Sequence, residues 1–362
     1  MPETYRLTGP VLTGPGQECG GVWVHEGRLT FADPGAAEEI RGWVLPGLVD
    51  VHCHIGLGPD GPVDRGVALD QARQDLRAGT LLVRDAGSPA DTRWLDQVPD
   101  APEIIRAGHH LARPKRYLRH YARELDDVAE LPEAMAEEAR RGDGWVKLVG
   151  DWIDRARGAD ADLEPLWPRD QLVAGVAAAH AEGARVTVHT FATETLEDLF
   201  EAGVDCIEHG TGMTPAHIDR AAEAGIAVVP TMLQVANFAS IAAQGEVKFP
   251  RFAGRMRTMF ARREQHVRDL HEAGVRLLLG TDAGGTIGHG RLADEARALV
   301  DAGIPTADVV AAATWSAREF LGRPGIFEGA PADVVIYPAD PRQEIGVLAH
   351  PRAVVRAGRR LS

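Results

Sequence analysis

Only three cysteines, Cys19, Cys53 and Cys206, occur in the 362 residues, and they are widely dispersed. That is too few for a disulfide framework and suits a reducing compartment. No apolar run approaches the roughly 20 residues that a membrane-spanning helix needs. The opening segment Met1-Pro2-Glu3-Thr4-Tyr5-Arg6 lacks the basic and apolar stretches of a secretory signal. Positive charge is in deficit as well. With 39 Lys and Arg against 53 Asp and Glu, the net charge of −14 argues against nucleic acid or an anionic membrane as partner. Internal repeats and low-complexity tracts are missing too. The expectation is a soluble cytoplasmic protein acting on a small molecule, with a homo-oligomer allowed.

What is present is an ordinary globular composition, 44% hydrophobic and 25% charged, enough to bury a full core. The 40 glycines suit a fold with many short strand-to-helix turns. Residues 1 to about 45 read as short strands, with a hairpin turn at His25-Glu26-Gly27. From Trp43 to about Gly290, eight short apolar runs alternate with helical segments such as Arg169 to Glu182 and Arg255 to Ala273. The runs begin at Gly47, Thr80, Glu103, Trp145, Arg185, Cys206, Ala227 and Arg276. Buried strands alternating with amphipathic helices imply βαβ units, and eight such units close a TIM barrel. Ile304 to Leu321 reads as helix, followed by strands at Asp333–Tyr337 and Ala353–Arg356, so both chain ends are β-rich. The fold class expected is α/β: a TIM (β/α)8 barrel over 46–329 with a small β-sandwich domain from 1–45 and 330–362.

His52-Cys53-His54 directly follows the first run. Alternate residues of an extended chain point the same way, so the two histidines can share one metal ion while Cys53 turns away. His189 ends the fifth run, His209 the sixth, and Asp282 follows the eighth. In a barrel those ends converge on the face where active sites lie. Lys147 sits inside the fourth run, and a buried lysine is costly unless paired or chemically changed. It pairs with Asp151, escapes to the rim, or is carboxylated to a carbamate that bridges two metals. The ligand set is thus His52, His54, Lys147, His189, His209 and Asp282. Zinc is the expected divalent metal, two per chain if Lys147 is carboxylated and one otherwise. Such an ion acidifies a bound water to hydroxide. Asp282 then serves as general acid/base, passing the proton to a leaving nitrogen.

These residues resemble the amidohydrolase superfamily, in particular its imidazolonepropionase-like and prolidase-like branch. The matching segments are Leu45-Pro46-Gly47-Leu48-Val49-Asp50-Val51-His52-Cys53-His54, Leu82-Val83-Arg84-Asp85-Ala86-Gly87, Val188-His189, Ile207-Glu208-His209-Gly210, Val229-Pro230-Thr231 and Leu279-Gly280-Thr281-Asp282-Ala283-Gly284. Ala313-Thr314, opening the last barrel helix, and Gly329-Ala330-Pro331-Ala332-Asp333 complete the series. The resemblance implies a barrel with a terminal β domain, the same ligand set, and hydrolysis of amide or related C–N bonds in a small molecule. Ala192, three residues after His189, stands where the deaminase branch carries a Glu, which disfavours a deaminase. The bulky acidic stretch after Lys147 and the segment His109 to Tyr117 depart from the dipeptidase type.

In that segment His110, Arg113, Arg116 and Tyr117 form a basic cluster that can clamp an anionic substrate group, or simply a solvated face. The loop Met232 to Pro250 reads as an apolar lid or as ordinary helix packing. Other readings are a one-metal enzyme opening a cyclic amide, a lactonase or phosphotriesterase, and a non-catalytic scaffold.

Overall fold

The computed structural model describes residues 4–35 and 37–361. Met1–Glu3, part of the opening segment read for a targeting signal, lie outside the described residues. Leu48–Cys53, Thr80–Asp85, Trp145–Val149 and Cys206–His209 are buried at every position. Such burial marks parallel strands covered on both faces. Pairing is parallel and follows chain order. Leu48–Cys53 lies beside Thr80–Asp85, which lies beside Glu103–Arg106. Trp145–Val149 pairs with Arg185–Thr190, then come Cys206–His209 and Ala227–Val229. The third run resumes beyond Gly108 as His110–Ala112, which pairs with Trp145–Val149. Helices Arg65–Arg77, Leu131–Arg141, Arg169–Ala181, Thr193–Ala202 and Pro215–Ala224 connect the strands.

The eighth run is not a regular strand. It makes one parallel bridge, Leu277 to Val228. Leu278 N donates to Val228 O at 3.1 Å, and Val51 N donates to Leu279 O at 2.9 Å, so the run lies between the seventh and the first. Immediately after it, a Cβ on Gly280 would meet His52 Cβ at 2.5 Å. Glycine there lets the two strand ends close to within ligand-sharing distance.

The expected helix from Ile304 to Leu321 is two, Thr306–Ala313 and Trp315–Phe320, parted at Thr314 with φ −133° and ψ −103°. Thr314 Oγ1 donates to the Val310 carbonyl at 2.6 Å, a local bond that competes with helical continuation. Thr314 therefore ends the first helix and stands at the N-cap of the second, Trp315–Phe320.

Both chain ends enter one eight-stranded sheet. Gln17–His25 turns at Glu26-Gly27, with φ of +50° and +80°, into Arg28–Thr30. These are the left-handed positions of a tight hairpin turn. Val334–Tyr337 lies between Trp43–Pro46 and Ala353–Arg356. Val44 and Ile336 join a core of their own with Leu7 and Val24. Their neighbours Leu45, Val335 and Tyr337 point the other way and pack with Leu81, Leu299 and Val310, fastening the sheet to the helices. Residues 232–272 form three helices, Met232–Ala236, Phe238–Gly245 and Pro250–Glu272. Among the described residues no helix is long and apolar enough to cross a membrane.

Candidate metal centre

The fold brings the strand-end histidines together. His52 Nε2 and His54 Nε2 lie 3.2 Å apart, and Asp282 Oδ1 is 3.1 Å from the first and 3.0 Å from the second. His189 Nδ1 and His209 Nε2 form a second pair at 3.0 Å. The rings of His52 and His209 join the pairs at a centroid distance of 5.2 Å. Cys53 points away, to Asp75 and His289. Asp50 ties the first and eighth runs together, accepting from Thr281 Oγ1 at 2.6 Å, Thr281 N at 3.1 Å and His52 N at 3.1 Å.

Three residues here hold left-handed backbone without being glycine: His209 (φ +63°), Thr231 (+47°) and Asp282 (+57°). Such conformations cost roughly 1–3 kcal/mol each and persist where the surroundings over-determine them, commonly at functional sites. Their effect is visible in the sixth run. Glu208 and His209 are consecutive, yet both bring a donor atom within 4.8 Å of His52.

Outer hydrogen bonds fix which ring nitrogens carry protons. His54 Nδ1 lies 2.6 Å from the Gly87 carbonyl, which can only accept, so Nδ1 is the protonated nitrogen. Thr231 Oγ1 donates to Pro230 O at 2.9 Å and must therefore accept from His209 Nδ1 at 2.6 Å. In both rings the Nε2 lone pair is left free toward the cluster, the arrangement that orients metal-ligating imidazoles.

Burial dominates the electrostatics and favours neutral imidazole. It lowers the pKa of His209 to about 3 and holds His189 well below the ordinary range. Burial alone would raise Asp282, but His52, by charge and hydrogen bond, and His54 outweigh it and hold the carboxyl well below its usual value. Neutral nitrogens around an ionised carboxylate are the donor set a divalent metal requires.

The spacing fits as well. Zinc–nitrogen bonds of about 2.0–2.1 Å place neighbouring ligand atoms about 2.8–3.4 Å apart at right-angled to tetrahedral geometry. The 3.0–3.2 Å separations among His52, His54 and Asp282 lie in that range. Among the described residues, buried His52 Nδ1 and His189 Nε2 have no hydrogen-bond partner.

Lys147 is fully buried beneath the cluster, and its ammonium is paired with Glu208 rather than with Asp151. Asp151 is occupied otherwise. It accepts from the backbone N–H groups of Phe191 and Ala192 and from the hydroxyls of Thr190 and Thr195. Glu208 also accepts from Thr187 Oγ1 at 2.7 Å, with Arg84 Nη2 at 3.5 Å. Sequence reasoning passed over Glu208 and Arg84 as site residues. The available signal was a charged residue inside a buried run, the same one that marked Lys147.

The basic cluster divides. His110 stacks on His54 at 5.0 Å, and Tyr117 lies against His110 and His189. Arg113 and Arg116 do not reach the histidines. Arg113 donates to Leu125 O at 2.9 Å and lies over Trp167, and Arg116 donates to Trp152 O at 3.1 Å. Both line a separate cavity with Asp126 and Pro168. One nitrogen of each guanidinium is held by a carbonyl oxygen.

Residues 43–361 match the amidohydrolase family. Uncharacterized proteins of Mycobacterium tuberculosis and Mycobacterium bovis are 51% identical over 340 residues, covering 93% of this chain and 91% of theirs. A Xaa-Pro dipeptidase with methionine in its active site superposes with a TM-score of 0.84 at 21% identity, over 99% of this chain and 100% of that one. A prolidase complexed with N-methylphosphonate-L-proline gives 0.81 at 22% identity, over 99% of each chain. The chain belongs to the amidohydrolase family, and its fold is that of the prolidase-like branch.

Proposed function

We propose that this chain is a metal-dependent hydrolase of amide or related C–N bonds in a small molecule. One observation carries the reading: two histidines and an aspartate, from opposite ends of the barrel sequence, converge within 3.2 Å. His52, His54 and Asp282 would hold one divalent ion, with zinc the metal the donor set suits. When bound, that ion supplies an acidified water and polarises the carbonyl under attack. Asp282 accepts the proton of the attacking water and returns it to the leaving nitrogen. His110 and Tyr117 wall the approach to the cluster. Arg113 and Arg116 have no part in it.

His189 and His209 would hold a second ion, bridged to the first by a carbamate on Lys147. The one-metal alternative keeps the lysine as an ammonium paired with Glu208; carboxylation would replace that ion pair. The backbone bonds of Leu278 and Val51 at the two seams support a closed (β/α)8 barrel. The separate apolar core of Leu7, Val24, Val44 and Ile336 supports a folded-over terminal β sandwich. A cytoplasmic location rests on three unpaired cysteines.

The test is metal content by plasma mass spectrometry on protein produced with zinc and bicarbonate, beside Lys147→Ala and Asp282→Asn. We expect two metals in the wild type and a clear loss in Lys147→Ala, with amide hydrolysis abolished in Asp282→Asn. One metal in both wild type and Lys147→Ala would select the one-metal form. No metal and no hydrolysis would refute the reading.

A further inference from the structure

Directly over the histidines lies a small cavity of about 50 Å³, lined by His54, His110, Tyr117, His189 and Asp282 among others. That space is too small to hold a dipeptide by itself, and none of its lining residues is a lysine or arginine. A free carboxylate placed there would find no lysine or arginine to pair with. The small cavity does not end at its walls. Leu118, Trp152, Gln234 and Thr286 line it and also line a groove of about 690 Å³. That volume lies within the roughly 300–1,000 Å³ of pockets for drug-sized ligands.

The groove's character differs from that of the metal cluster. Ile153, Leu163, Ile241, Phe249, Phe252 and Met256 give it an apolar wall. Phe191, 4.3 Å from His189 between ring centroids, stands where the two spaces meet. No acidic residue lines the groove, and its only charged lining residues are Arg155 and Lys248. Both are exposed, and the ion pairs among the described residues include neither. Lys248 Nζ sits over the Phe249 ring at 5.3 Å, at the edge of the apolar wall.

We propose that this groove holds a bulky apolar portion of the substrate on one side of the scissile C–N bond, with an acidic group at its far end facing Lys248 and Arg155. The substrate class is then an amphipathic anionic amide, not a dipeptide. This rests on the hydrolase reading for its chemistry but not for its binding, and the two are tested separately.

The binding arm uses protein as purified, with dodecanoate titrated against a bound fluorescent aromatic anion, 8-anilinonaphthalene-1-sulfonate. Ser240→Trp places an indole in the groove from an exposed helical position. It should weaken dodecanoate about tenfold or more, since apolar area can no longer be buried. Lys248→Glu, at an exposed site, should weaken dodecanoate about threefold to tenfold. It should leave dodecanol unchanged. Melting temperatures check that both variants fold. The catalytic arm compares mono-(4-nitroanilides) of dodecanedioic and succinic acid. The long-over-short ratio of kcat/KM should exceed ten in the wild type and collapse in Ser240→Trp.

Binding that both substitutions weaken, with no amide cleaved, would uphold the groove and refute the hydrolase. Hydrolysis with a ratio near one, and dodecanoate affinity unmoved by either substitution, would overturn the groove alone.

Discussion

Replacing Glu208 with Gln changes one charge and almost no volume, in a place where charge cannot be screened by water. Glu208, Lys147 and Arg84 are all fully buried. Glu208 accepts from Lys147 and Thr187, and Arg84 stands 3.5 Å away. The Arg84 guanidinium lies over Trp145 at 4.5 Å, and its nitrogens have no hydrogen-bond partner among the described residues. Two buried cations therefore lean on one anion. Removing one partner of a buried pair costs about 3–5 kcal/mol. Against a typical total stability of about 5–15 kcal/mol, that is about a fifth or more. Urea unfolding followed by tryptophan fluorescence, with and without added zinc, measures it.

A cycle with Lys147→Met sharpens the test. The double variant removes one cation and one anion together, so it should be less destabilised than the sum of the singles by about 0.5–3 kcal/mol. The sign with pH also follows. Burial raises the Glu208 carboxyl, but His52, Lys147 and Arg84 outweigh it and hold it well below the ordinary value. Its contribution is present above the unfolded carboxylate range and is lost as pH falls through the lower folded value. The gap between wild type and Glu208→Gln should thus narrow in acid. A loss under about 1 kcal/mol at neutral pH, or strict additivity in the cycle, would refute the reasoning.

Other outcomes follow from the surrounding bonds. Thr231→Ala, which removes the acceptor that fixes His209, should lower zinc affinity about 10- to 100-fold by competition with a chelator, with Thr231→Ser near wild type. Burial raises Glu295 to about 8 despite the N–H groups of Met232 and Leu233 that it accepts from. The folded state then keeps a proton that the unfolded chain loses, so stability should fall as pH rises from about 4.5 to 8. Glu295→Gln should flatten that slope in melting temperatures taken across the window. Arg113→Ala should cost about 1–2 kcal/mol through its lost carbonyl bond and ring contact. It should leave KM for acidic substrates unchanged; a selective rise in KM would return Arg113 to the substrate site.

The sequence carried the strand-end residues because their positions obey local rules. A run of buried β residues followed by a polar group marks the end of a parallel strand, and chain order then brings such ends to one side. His52 and His54 were legible from period-two alternation alone, and so was Cys53 turning the other way. Glu208 was not, because alternation sends it opposite to His209. The left-handed backbone at His209 breaks that rule and brings both toward His52. Asp282 is kinked in the same way.

The fate of Lys147 was also beyond the sequence, which offered Asp151 as a partner from proximity along the chain. In the fold Asp151 is consumed by the N–H groups that follow His189, and the lysine meets an anion 61 residues distant. Arg113 and Arg116 share a short segment with His110 and Tyr117, and composition could not tell which would face the histidines. Carbonyls presented by neighbouring segments decided it. The sequence by itself determined the strand ends and the histidines and carboxylates they carry, since these follow from residue type and local period. Only the tertiary structure decided which charges neutralise each other, and how the histidine cluster adjoins an apolar groove. Those depend on contacts between segments far apart in the chain.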